Sequence, residues 1–162
     1  MKILPALQAL SELETSIAKL YEHYRDSFAE NPKAKMLFFR MAREEHGHVR
    51  IVAYQRRLVR ANPRLFGNID LDLTEVERTT AAVQVLAAQP SPPTVDEAVG
   101  AALRIETSAA ESHYRSALAS SDEEIAVFLE NLARGDKEHL ARLMAFAQEQ
   151  CLEEPVRTSA GR

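Results

Sequence analysis

The sequence predicts an all-α protein, a four-helix bundle made of two antiparallel hairpins joined by a long crossover that contains a short helix. Three observations predict it. Helix breakers are sparse, five Gly and seven Pro in 162 residues, and they divide the chain into four long stretches. Within each stretch apolar residues recur three and four apart, the period of helices that bury one face. The connections alternate short, long, short, and the roughly thirty residues between the second and third long helices are enough to cross the length of a bundle.

The first helix runs from about Pro5, tolerated in a first turn because its missing N–H has no partner there, to near Glu30, where Asn31-Pro32 stops it. The second runs from about Lys33 to Ala61 and is closed by Asn62-Pro63. Leu65 to Leu73 reads as extended or irregular. Thr74 with Glu77 forms a capping-box signature that opens the short helix, which lasts to about Ala88 and ends at Gln89-Pro90-Ser91-Pro92-Pro93. Thr94 with Glu97 opens the third long helix, expected to reach about Ala119; Ser121 with Glu124 opens the fourth, expected to reach about Leu152. Residues 1–152 thus read as one bundle and 153–162 as a polar tail.

Composition narrows the function classes. Twenty Lys+Arg against 24 Asp+Glu leave a net charge of −4 with no basic face, so nucleic acid is not an expected partner. The apolar residues Ile3, Leu4, Leu7 and Leu10 are interrupted by Pro5, Gln8 and Ser11-Glu12, too short and broken for a membrane span or a secretory core. The expectation is a cytoplasmic protein with no membrane partner. Cys151 is the sole cysteine, which excludes an internal disulfide and a C-x-x-C pair within these residues. Any metal here would have to be held by oxygen and nitrogen.

Each long helix can be registered on a seam of inward positions. The first gives Ile3, Leu7, Leu10, Glu14, Ile17, Tyr21, Tyr24 and Phe28; the second gives Ala34, Phe38, Met41, Glu45, His48, Val52, Gln55 and Val59. The third gives Val99, Leu103, Glu106, Ala110, His113 and Ala117; the fourth gives Ile125, Leu129, Leu132, Asp136, His139, Leu143 and Phe146. Glu14, Glu45, His48, Glu106, Asp136 and His139 therefore fall among apolar core residues. Burying unpaired carboxylates costs several kcal/mol each, and four together repel. No Lys or Arg stands on these seams, so the counter-charge points to metal, and two divalent ions cancel four carboxylates.

Spacing supports the same reading. Glu45-x-x-His48 and Asp136-x-x-His139 each put an acid and an imidazole one turn apart on one helical face. The chain also repeats: Glu14-Thr15-Ser16 returns as Glu106-Thr107-Ser108, 92 residues on, and Met41 to His48 is echoed by Leu132 to His139, 91 residues on. Two hairpins of common design, each with a lone Glu on its first helix and an acid-x-x-His pair on its second, reproduce the di-iron or di-manganese arrangement of carboxylate bundles.

On these residues, together with Glu45-His46-Gly47-His48, Tyr114 eight residues after Glu106, and Asp136-Lys137-Glu138-His139, the sequence resembles a rubrerythrin-type, ferritin-like di-iron domain over nearly its whole length. The resemblance implies that Glu14 and His48 hold one iron and Glu106 and His139 the other, with Glu45 and Asp136 bridging; manganese or a mixed pair suits the same ligands. It implies an oxidoreductase that reacts with hydrogen peroxide or dioxygen, takes electrons from an external donor and forms a homodimer. Ferrous-iron oxidation with iron handling is one alternative, and a metal-binding module without turnover is another. Three positions depart from the family pattern. Asp136 replaces the usual Glu, Ala109 stands where peroxidase-type members carry a further glutamate, and the four-cysteine rubredoxin-like site has no counterpart in these residues.

Around the ligand set, Tyr21, Tyr24, His113 and Tyr114 lie within two turns of the acids and are candidates to orient them. His23 and His46 fall off the seams and read as solvent-facing. Glu44 flanks the site, either as a spare ligand or on an exposed helix face.

Overall fold

The structure is a computed structural model and describes residues 3–64, 66, 73–108 and 139–149. The described residues are all helical or connecting, in the order α1 (Ile3–Ser27), α2 (Pro32–Ala61), α3 (Leu73–Ala87), α4 (Val95–Glu106) and a further helical segment, α5, at 139–149.

α1 carries Pro5 in its first turn and ends at Ser27, slightly short of the expected Glu30, because residues 28–30 form a turn closed by Asn31 N–H on Phe28 O at 3.0 Å. Asn31 is forced into extended backbone by the following proline, with φ −116° and ψ 92°. From there its side chain accepts from Ala34 N–H at 3.1 Å and its carbonyl from Lys35 N–H at 2.9 Å, starting α2 with Pro32 in the first turn. α2 closes where Asn62 N–H reaches Leu58 O at 3.0 Å.

The seam positions expected for the first two long helices are all buried. Phe38 gathers Tyr21, Tyr24 and Phe28 around it at centroid distances of 5.9, 5.1 and 5.7 Å, which locks the hairpin at its turn end. α1 is buried on a second face as well. Leu13, Ser16 and Leu20 share a side of α1, and Gln84 of α3 donates to Ser16 Oγ at 3.4 Å. The crossover helix therefore lies along α1, with Val76 and Val83 turned inward.

Two expectations about helix ends change. α3 already includes Leu73, so Thr74 lies inside the helix and does not cap it. α4 opens as expected on a reciprocal capping box, with Glu97 N–H on Thr94 Oγ1 at 3.2 Å and Thr94 N–H on Glu97 Oε2 at 2.8 Å. It stops at Glu106, well before Ala119. Thr107 N–H still closes on Leu103 O at 3.1 Å, but Ser108 N–H reaches only three residues back, to Ile105 O at 2.9 Å, so the chain leaves α geometry there. α4 buries Ala98, Val99, Ala101, Ala102 and Ile105, a broader face than the expected seam, leaving Leu103 half-buried. Its alanines let the backbone approach closely enough for that face to be covered.

α5 runs antiparallel to α2, since Glu149 pairs with Lys33 at 2.8 Å and His139 meets Glu45. The second hairpin's turn, the start of the fourth helix at Ser121, most of Leu65 to Leu73, and the tail lie outside the described residues. No helix among the described residues is long and apolar enough to cross a membrane.

Candidate metal centre

Four helices bring five of the six expected ligands together. α1 supplies Glu14 from between Leu10 and Ile17; α2 supplies Glu45 and His48, one turn apart between Met41 and Val52. α4 supplies Glu106 as its last residue, and α5 supplies His139 as its first described one. All five side chains are almost wholly enclosed, none more than 9% exposed. Asp136, His113 and Tyr114 lie outside the described residues.

Glu45 is the hinge of the arrangement. His48 Nδ1 donates to its Oε2 at 3.1 Å, and His139 Nδ1 lies 3.2 Å from its Oε1. On one side Glu14 Oε2 is 3.5 Å from His48 Nδ1; on the other Glu106 Oε2 is 3.8 Å from His139 Nδ1. The two imidazoles stack with centroids 5.4 Å apart. The result is two three-residue groups, Glu14–Glu45–His48 and Glu45–Glu106–His139, each with ligand atoms within 4.8 Å of one another and with Glu45 in both. Either group could hold a metal ion.

Tyr21 Oη donates to Glu106 Oε1 at 2.7 Å, holding that carboxylate from the α1 side. Tyr24, a turn further along, packs edge-on against Phe38, and burial pushes its hydroxyl above the ordinary value. His46 is exposed and pairs with Glu22 at 3.0 Å. His23 differs from expectation: it is half-buried, its ring 6.0 Å from that of Tyr24 and its Nε2 shut off from solvent.

Protons answer the charge problem inside the protein. Burial pushes Glu14 up to about 8 despite the His48 imidazole beside it. Burial acts on Glu45 in the same direction, but the imidazoles of His139 and His48 outweigh it and hold this carboxyl well below the usual range. Burial disfavours a charged imidazole, yet the Glu14 and Glu45 carboxylates raise His48 to about 11, and Glu106 and Glu45 raise His139 to about 10. In the metal-free protein the carboxylates therefore favour protonated imidazoles.

Polar atoms in the site are nonetheless stranded. Glu14 Oε2 and both ring nitrogens of His139 are buried without a hydrogen bond, although carboxylate oxygens stand near each ring nitrogen. Orphans of this kind are costly and rare in folded proteins. Their convergence, and a donor set of carboxylates with imidazoles, fit a pair of cations of the iron or manganese kind. Glu44, which the sequence left open between a spare ligand and an exposed helix face, is partly enclosed, reaches His139 Nε2 at 2.8 Å and accepts from Arg142. What sequence reasoning missed was its partner Arg142, three residues after His139 and facing the same way.

The family model described as Rubrerythrin matches residues 7–147. No curated protein and no solved structure matches the chain.

Proposed function

The chain belongs to the rubrerythrin family, and from that premise we propose that it is a non-haem di-iron oxidoreductase that reduces hydrogen peroxide or dioxygen with electrons from an external donor. The observation that carries the reading is the pair of buried Glu/His groups sharing Glu45. Glu14 and His48 would hold one ion, Glu106 and His139 the other, with Glu45 between them and Asp136 as the second bridge. Bound there, iron would supply the Lewis acidity and the one-electron changes that reduction of an oxidant requires.

The chain's own residues prepare the site for that task. Tyr21 fixes Glu106 through Oε1 and leaves Oε2 facing His139. The cluster of Phe38, Tyr21, Tyr24 and Phe28 seals the hairpin end of the bundle against water. His48 and His139 carry protons at the nitrogens that face the carboxylates, and those protons leave as cations enter. No rubredoxin-like cysteine site exists within these residues, so the electrons are supplied from outside them.

Ala109, where peroxidase-type members carry a further glutamate, favours a second reading in which ferrous iron is itself the substrate and is oxidised and passed on. One experiment separates the two. Protein purified without chelator is analysed for metal, expected at about two iron per chain. Its absorption is then followed through reduction and peroxide addition, with turnover measured against donors and against excess ferrous ion. Catalytic oxidation of a donor supports the oxidoreductase; many ferrous equivalents oxidised per site without donor turnover supports iron handling. Absence of metal uptake, even from anaerobic ferrous ion, overturns both.

A further inference from the structure

Glu44 stands beside Glu45 on α2, about 100° round the helix, with its side chain 27% exposed. Its Oε2 lies 2.8 Å from His139 Nε2, and the same oxygen accepts from Arg142 Nη1. His139 and Arg142 are three apart on α5, so imidazole and guanidinium leave one helical face and converge on a single carboxylate oxygen. The other ring nitrogen, Nδ1, faces Glu45 Oε1 and Glu106 Oε2 at 3.2 and 3.8 Å. The ring is bracketed, with the shared ligand group on one edge and an Arg-held carboxylate on the other.

A neutral imidazole carries one N–H, and only the nitrogen without it can bind a metal. The carboxylate at Nε2 biases that choice. Resting on the metal-binding reading above, we propose that Glu44, held by Arg142, is a positioning residue for His139: it accepts the Nε2 proton and so presents the Nδ1 lone pair to a cation between Glu45 and Glu106. The arrangement is a carboxylate–histidine–metal relay whose outer carboxylate is anchored from the solvent side, at a place in the sequence directly adjoining the shared Glu45.

The test uses the full chain stripped of metal, titrated with Co2+ and followed by visible absorption, together with 15N-histidine NMR of the Zn2+-loaded protein. Wild type is expected to bind two Co2+, with the NMR spectrum showing His139 protonated at Nε2 and metal-bound at Nδ1. Glu44→Ala is expected to weaken one of the two binding events by about 10–100-fold and to spare the other. Glu44→Gln keeps the side chain's size and an amide oxygen that still accepts from Nε2–H, and is expected to stay close to wild type in both affinity and tautomer. The proposal is overturned if Glu44→Ala binds both ions normally, or if the NMR spectrum puts the His139 proton on Nδ1. It is equally overturned if Glu44→Gln loses as much affinity as Glu44→Ala, which makes Glu44 a direct ligand. Failure of the wild type to bind either metal strikes the metal reading first, before any variant is compared.

Discussion

Tyr21 shows how one side chain links core and site. It is fully enclosed, its ring packs on Phe38 and its hydroxyl ends on Glu106 Oε1. Tyr21→Phe keeps the packing and strands a buried carboxylate oxygen, which costs about 1–3 kcal/mol; a urea melt of the metal-free variant is expected to show a loss of that size. The titrating groups set a pH dependence with a definite sign. His48 and His139 are raised from 6.5 to about 11 and 10, so their contribution to metal-free stability is complete below about pH 6.5 and fades as pH climbs toward those values. Glu14, raised from 4.5 to about 8, adds a loss over the range between. Glu45, lowered from 4.5, contributes above that value and is lost as pH falls below it. Metal-free protein should therefore be most stable in mildly acidic solution, and thermal melts of the chelated protein should fall steadily from about pH 6 to pH 9. A flat profile would show that the imidazoles do not carry this charge. At this scale the sequence identified Glu14, Glu45, His48, Glu106 and His139 as buried neighbours because an acid on an apolar seam has nowhere else to go. Glu44 was ambiguous because its role depends on Arg142 of another helix.

Local signals at the helix ends read well where one residue dominates the backbone. Asn31-Pro32 and Thr94 with Glu97 start α2 and α4 because each side chain meets an N–H that the helix leaves unpaired. Thr94→Ala is expected to cost about 1 kcal/mol, measured as a shift in the urea midpoint. Gly47 offers the opposite change. It sits inside α2 between Glu45 and His48, and a Cβ built there meets nothing within 4 Å. Gly47→Ala should therefore stabilise the metal-free protein by about 0.5–1 kcal/mol, through the lower entropy of its unfolded chain. A loss of stability would mean that backbone freedom at this position matters to the fold. The end of α4 was not legible in the same way. Thr107 and Ser108 are tolerated in a helix, and the end is marked by backbone geometry, Ser108 N–H reaching Ile105 O three residues back, which residue type does not announce. Thr74 misled for a related reason: its pairing with Glu77 matches a cap by type, while the chain is already helical at Leu73.

Across the whole molecule, the carboxylates and imidazoles come from α1, α2, α4 and α5, so ligand binding ties together elements that are far apart in the chain. A cation that binds the folded state at a hundred times its dissociation constant adds about 2.7 kcal/mol of stability. Manganese added to metal-free protein should raise the melting midpoint, with a gain that widens from about pH 6 to pH 8 as the imidazole protons are displaced more readily. An unchanged midpoint at saturating metal would count against the shared site. Periodicity, breakers and the internal repeat were enough to determine an all-helical chain, its hairpin of α1 on α2, a helix within the crossover, and a line of acids and histidines on the core face. These follow from short-range rules, since a seam or a cap depends on residues within a few turns. Tertiary structure alone decided that α3 covers a second face of α1, that Glu45 gives one oxygen to each imidazole, and that Glu44 and Arg142 close on His139 from outside. Those contacts join residues up to about a hundred positions apart, and their geometry depends on how helices approach one another, which no single helix encodes.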